Sequence, residues 1–130
     1  MSDVVETVDN AVETQHGCPV QDSHGQRVLH ASRDQYVSVI KALADEGYEM
    51  CVDLTGADYL AMPQRTIGFG IQPERFELVV NLLSLSQRKR IRVRVQVPAE
   101  DATVPTLFDI HPGTEAHERE TFDMFGIVFS

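Results

Sequence analysis

The chain of 130 residues contains no tryptophan, only two cysteines (Cys18 and Cys51) and little aromatic content. Two thiols are too few for a disulfide framework or for the about four thiolates that hold an iron–sulfur cluster; they fit a reducing compartment. No apolar run approaches the roughly 18–20 residues of a membrane-spanning helix. Basic residues are also scarce: 11 Lys and Arg against 20 Asp and Glu give a net charge of −9, whose average field repels phosphate and argues against nucleic acid as the general partner. Met1 to Glu13 is acidic and lacks the basic-then-apolar layout of a signal peptide, so a soluble cytoplasmic protein is expected. A dinucleotide fingerprint, a Walker A motif and a nucleophile elbow are all missing, and the lone Gly68-Phe69-Gly70 lacks the flanking strand, helix and further glycines of a phosphate loop. No chemistry is expected of the chain by itself.

What is present reads as one globular domain: 42% hydrophobic and 24% charged residues can build a single core without wholesale disorder. Residues 1–25 are polar and acidic and are expected to be a flexible extension, with one strand near Cys18 to Val20. His16, Cys18, Asp22 and His24 are the group there able to ligate a metal, but their spacing matches no zinc layout. A single domain is expected over 26–130. Ser32 suits an N-cap, and Tyr36, Val39, Ile40 and Leu43 at i, i+3, i+4, i+7 predict a helix from Arg33 to Glu46, stopped by Gly47. Glu49 to Thr55 alternates as a strand, with Met50, Val52 and Leu54 on the buried side. Leu60 to Pro73 is punctuated by proline and glycine and reads as a loop. Phe76–Leu85 and Ile91–Val97 alternate most clearly and, joined by Ser86-Gln87-Arg88-Lys89, predict an antiparallel hairpin.

That hairpin carries Arg88, Lys89, Arg90, Arg92 and Arg94, five of the eleven basic residues. Three readings fit: a nucleic-acid surface, a solvated face, or a docking surface for an acidic protein. The first lacks interleaved aromatics for base stacking. The third uses charge to set register and partner choice.

The last dozen residues, Glu118 to Phe129, organise the chain. Thr114 suits an N-cap, Glu115 sits at the positive end of the helix dipole, and Gly126 suits a left-handed stop. Arg119 lies at i+4 from Glu115 and i−4 from Asp123 and is expected to bridge them, turning Phe122 and Phe125 inward. Asp109, His111 and His117 lack the i, i+4 pairing of a helical zinc site, so structural or interfacial roles are expected. The run Glu118-Arg119-Glu120-Thr121-Phe122-Asp123-Met124-Phe125-Gly126-Ile127 resembles the signature of the small C-type subunit of proton-pumping NADH:quinone oxidoreductase, respiratory complex I. Three further blocks resemble the same family: Val52-Asp53-Leu54-Thr55-Gly56-Ala57-Asp58-Tyr59, the Leu82-Leu83-Ser84-Leu85 and Arg90-Ile91-Arg92-Val93-Arg94-Val95 pair of strands, and Val104-Pro105-Thr106-Leu107. Together they span about Gly47 to Phe129.

The resemblance implies a two-layer α+β domain, in which a mostly antiparallel sheet packs against helices; the periodicities supply three to four strands and two main helices. It implies a non-redox subunit of the peripheral arm, an enzyme component only through its complex. Flavin, iron–sulfur clusters and quinone would belong to other subunits. The implied partners are the quinone-site (D-like) and iron–sulfur (B- and I-like) subunits of the peripheral arm, on the cytoplasmic side of the membrane, with membrane association only through the complex. Glu118, Arg119, Glu120, Asp123, Phe125 and Gly126 would be signature residues with structural or interface roles. Ala116 and His117 stand where the family commonly has Trp and Tyr, and the family continues past Gly-Ile into a Gly-His-Pro block, so the chain reads as short at its C-terminus. The alternatives are the equivalent subunit of a membrane-bound hydrogenase or deazaflavin-linked dehydrogenase, and a free-standing binding domain that uses the basic hairpin.

Overall fold

Two His-Gly pairs set the first half of the sheet. In the computed structural model, which describes residues 13–130, His16-Gly17 and His24-Gly25 all have positive φ (53, 79, 53 and 78°). Two-residue loops with both residues left-handed match the right-handed twist of paired strands, and His enters that region more readily than most side chains. They fold β1 (Thr14–Gln15), β2 (Cys18–Ser23) and β3 (Gln26–Ala31) into a meander. Residues 14–25 are therefore not the flexible extension that their polarity suggested, although the strand expected near Cys18 to Val20 is there within β2: Cys18 and Val20 are buried in the core while Gln21, Asp22 and Ser23 are half or fully exposed. His16 and His24 are turn residues, and among the described residues no group of three or more His, Cys, Asp or Glu is placed to hold a metal. The expectation for residues 1–12 lies outside the described residues.

Helix α1 (Arg33–Asp45) forms where predicted, ending one residue early. Ser32 Oγ accepts the Gln35 N–H at 3.2 Å and the Gln35 side chain accepts the Ser32 N–H at 3.0 Å, a reciprocal capping box. Its stripe of Tyr36, Val39, Ile40 and Leu43 is fully buried. Strands β4 (Met50–Asp58), β5 (Phe76–Ser84) and β6 (Lys89–Val97) complete a six-stranded sheet of order β1-β2-β3-β6-β5-β4, antiparallel except for the parallel β3–β6 pair. The sheet is thus mostly antiparallel, with six strands rather than three or four. The hairpin register pairs Leu78 with Val95 and Val80 with Val93, so the alternating apolar residues form one buried face.

Strand β4 corrects one expectation. Its pairing with β5 slips at Cys51 to Asp53, leaving Val52 extra, and this bulge interrupts the alternation. Leu54 is buried, but Met50 and Val52 are exposed.

Helix α2 (Glu115–Phe125) lies against the same sheet face as α1. A Cβ added to Gly56 would stand 2.9 Å from the Phe125 ring and 3.2 Å from Thr121, so only glycine admits this approach. Both helices cover one face, which gives two layers. After Gly126, left-handed at φ 75°, β8 (Val128–Phe129) pairs in parallel with β7 (Thr103–Val104).

The opposite face is partly covered by the loop 59–75. Its base is closed by the Tyr59 N–H to the Arg75 carbonyl at 2.7 Å and by the Arg75 guanidinium on both Asp58 oxygens at 2.9 and 3.0 Å.

Candidate docking surface

The signature helix is fastened by one carboxylate. Glu118, 7% exposed, accepts the Thr106 hydroxyl at 2.6 Å and the Leu107 backbone N–H at 2.8 Å. Thr121 turns its hydroxyl back onto the His117 carbonyl at 2.8 Å, and Phe125 packs against Phe76 with ring centres 6.3 Å apart. Glu118, Thr121 and Phe125 follow the i, i+3, i+7 spacing of an inward stripe.

Three expectations for this helix are corrected. Thr114 holds the N-cap position but its side chain caps no helix N–H: a 3-10 turn (Pro112–Thr114) leads directly into the helix, Thr114 is already in a helical conformation, and its hydroxyl donates to the His111 carbonyl at 2.8 Å. Arg119 bridges nothing: among the described residues no carboxylate lies within ion-pair distance of it. Spacing of i±4 permits such a bridge, but on an exposed face water competes for every partner. Phe122 does not turn inward; it is half exposed, because Glu118 and Phe125 set the buried stripe and Phe122 falls beside it. Glu120 and Asp123 are exposed as well.

The result is a charge-rich helix that leaves large apolar side chains exposed. Phe122 (50%) and Met124 (67%) are open on α2, Val128 (44%) on the strand that follows, and Phe108 (45%) on the turn that Glu118 holds. Exposed apolar side chains of this size supply the contacts of an interaction surface.

The basic hairpin divides in two. Arg94 is committed to the fold: its guanidinium makes a two-point bond to Glu77 at 2.7 and 2.9 Å, and Glu77 is 2% exposed. Gln96 donates to Glu77 at 2.7 Å, and Arg65 reaches from the loop to within 3.9 Å of it, stacked on Tyr59 at 3.8 Å. Burial alone would favour the neutral form of Arg94, but the Glu77 carboxylate outweighs it and the guanidinium is held charged more firmly than usual. Arg92 donates to Asn81, which donates to Asp53, forming a polar ladder across three strands. Arg88, Lys89 and Arg90 are exposed at the tip.

Sequence reasoning missed the Glu77–Arg94–Arg65 group. The available signal was register: an acid on the polar side of β5 stands beside an arginine on the polar side of β6. Arg65 carried no signal, since it approaches from a loop.

Two clefts flank the sheet. One of about 820 Å³ is lined by His30, Arg33, Ile71, Arg94, Gln96 and Ser130. His30 binds Gln21 at 2.9 Å through Nε2 and stacks on Phe69, while its Nδ1 is buried without a partner. Burial first, then Arg94, push its imidazole below the ordinary range, with Glu77 opposing. The second cleft, about 980 Å³, lies beside the hairpin tip. Cys51 is shielded, its thiol pushed up to about 11 by burial, then by Asp53 and Glu118; neither cysteine is an activated nucleophile.

Comparison with known proteins adds to this geometry. The family described as "Respiratory-chain NADH dehydrogenase, 30 Kd subunit" matches residues 29–130. Proteins named as the C subunit of NADH-quinone oxidoreductase are similar to the chain: that of Roseiflexus castenholzii is 40% identical over 82% of the chain and 57% of its own length, and that of Saccharopolyspora erythraea is 34% identical over 81% and 40%. The Neisseria meningitidis serogroup B protein is 36% identical over the whole chain and 66% of its own length. The chain thus spans about half the length of the relatives that it matches. Among solved structures, a trypsin-resistant fragment (1-134) of Nqo5 superposes with a TM-score of 0.78 at 32% identity, covering 98% of this chain and 92% of that one. A chain of a membrane-bound sulfane sulfur reductase, an archaeal respiratory membrane complex, shares the fold with a TM-score of 0.72 at 19% identity, covering 98% and 68%.

Proposed function

Since the chain belongs to the family of the 30 kDa subunit of respiratory-chain NADH dehydrogenase, we propose that it serves as a non-redox docking subunit in the peripheral arm of an NADH:quinone oxidoreductase. In this reading it contributes surface rather than chemistry. Electrons pass from NADH to quinone through flavin and iron–sulfur centres in other subunits, coupled to proton translocation, and this chain holds the quinone-site (D-like) and iron–sulfur (B- and I-like) subunits in place. It sits at the cytoplasmic side of the membrane through those partners; no helix among its described residues is long and apolar enough to cross.

The observation that carries the reading is the two-sided construction of α2. Glu118 and Phe125 bind one side into the domain, while Phe122 and Met124 stand exposed on the two flanks of that buried stripe. Exposed aromatic and methionine side chains on a rigid element are the composition of interface centres.

The test is a tagged pull-down from gently solubilised membranes, comparing the wild type with F122A/M124A. Recovery of the quinone-site subunit or an iron–sulfur subunit with the wild type, and its loss from a double variant of unchanged melting temperature, is the expected result. The other co-purifying subunits distinguish an NADH-linked complex from a hydrogenase or a deazaflavin-linked one. A wild-type chain recovered alone from the soluble fraction would overturn the reading.

A further inference from the structure

The hairpin tip is built as a rigid, uncompensated positive site. Ser84 Oγ accepts the Gln87 backbone N–H at 3.2 Å, and the Gln87 side chain donates to the Glu46 carbonyl at the end of α1. The turn is therefore fixed to the helix layer, and its cations are presented without the ordering cost of a free loop. Arg88 stands in the left-handed region at φ 53°, where glycine or asparagine would be less strained.

The charge is not neutralised within the domain. Arg27, Arg33, Arg65, Arg75 and Arg94 all have carboxylate partners, but among the described residues Arg88, Lys89 and Arg90 have none within ion-pair distance. The cleft at the tip also contains Asp22 and Glu46, of which Glu46 is engaged by His16 at 2.7 Å and lies beside Gln15. Three adjacent unpaired cations in a chain of net charge −9 form a local reversal of field. Next to them Leu85 is 67% exposed, an apolar contact beside the charges.

We propose that this tip, with the cleft beside it, docks an acidic, extended segment of a partner protein, whose carboxylates pair with Arg88, Lys89 and Arg90 while an apolar side chain covers Leu85. The site lies away from the apolar surface of α2. Leu78, opposite Gly56 beneath Phe125, is six residues along β5 from Ser84, about 20 Å at ~3.3 Å per residue. The domain is then a two-ended clamp, apolar at one end and cationic at the other. The assignment deepens the docking reading above, but its first test does not depend on the identity of the complex.

The test uses the full chain and R88E/K89E/R90E, checked by circular dichroism for an unchanged fold. Probes are a labelled Glu-rich peptide carrying leucines, a Lys-rich counterpart, and vesicles of phosphatidylglycerol. The expected result is preferential binding of the Glu-rich peptide, weakened about tenfold or more by the charge reversal and progressively by salt, as for solvent-exposed charges. Binding to the vesicles but not the peptide would overturn the proposal in favour of a lipid surface, and binding to neither would overturn it outright. In membranes, a wild type that co-purifies with its complex while the reversed variant does not supports the proposal. Equal recovery of both, with no peptide binding, sinks the clamp but leaves the docking subunit standing. A wild type that never co-purifies sinks the docking subunit, and the peptide measurement then decides the acidic site alone.

Discussion

The Glu118 carboxylate accepts the backbone N–H of Leu107 at 2.8 Å, joining the signature helix to a turn eleven residues earlier. Its other oxygen holds the Thr106 hydroxyl. Removing the acceptor strands a buried donor, which costs about 1–3 kcal/mol. E118A is therefore expected to lower stability by that amount, and E118Q, which keeps one acceptor, by about 1 kcal/mol. Urea unfolding measures both; equal losses would mean that the charge, not the acceptor, matters.

Gly56 and Phe125 make a second tight contact. In G56A the new methyl meets the ring at 2.9 Å, and overpacking of this kind costs about 1–3 kcal/mol. Shortening the ring side chain should relieve the clash, so G56A/F125L is expected to be more stable than the sum of the two single changes. A double-mutant cycle reads the coupling.

The buried Glu77 is the counter-charge for Arg94 and, at longer range, Arg65. E77L leaves those guanidiniums without it, and breaking a buried pair by removing one partner costs about 3–5 kcal/mol. E77L/R94M is expected to recover part of that loss, because both charges leave together. Thermal melts of the two variants check this.

Acid should weaken the fold through His30 and His111, both of whose imidazoles are held below the ordinary value of 6.5, chiefly by burial. The folded state then binds fewer protons than the unfolded chain below that value, so the stability these groups confer is complete above it and is lost as the pH falls through the lower folded values. Urea midpoints are expected to fall between about pH 7 and pH 5, and a H30N/H111N variant should show a shallower fall.

The parts of the fold legible in the sequence were those in which one period runs uninterrupted. Tyr36, Val39, Ile40 and Leu43 gave α1, and the alternation from Phe76 to Val97 gave the antiparallel hairpin, though not its register. Met50 and Val52 misled because a single bulged residue shifts the alternation, and nothing local distinguishes a bulge from a continuous strand. In residues 14–31 a strand near Cys18 to Val20 was legible, but the pairing into a meander was hidden by polarity, although His16-Gly17 and His24-Gly25 between short runs were two-residue turns in plain view. At the candidate site the signature helix and its glycine stop were readable, but its inward face was not. Phe122 is apolar and Glu118 charged, yet Glu118 is buried, because its carboxylate meets two donors there, the Thr106 hydroxyl and the Leu107 N–H.

The parallel pairing of β3 with β6 has a consequence for the order in which the chain assembles. Leu29 and Val93 are direct partners more than sixty positions apart, whereas β2–β3 and β5–β6 meet across short turns. Local hairpins close in microseconds, but a distant pairing must first bear the entropy of a large loop. As the chain emerges from the ribosome, the β1–β3 meander and α1 are exposed well before β6 exists, and β3 waits with one open edge. Completion of the sheet is then expected to come late, and the interval before it leaves the β3 edge of the nascent chain open to mispairing.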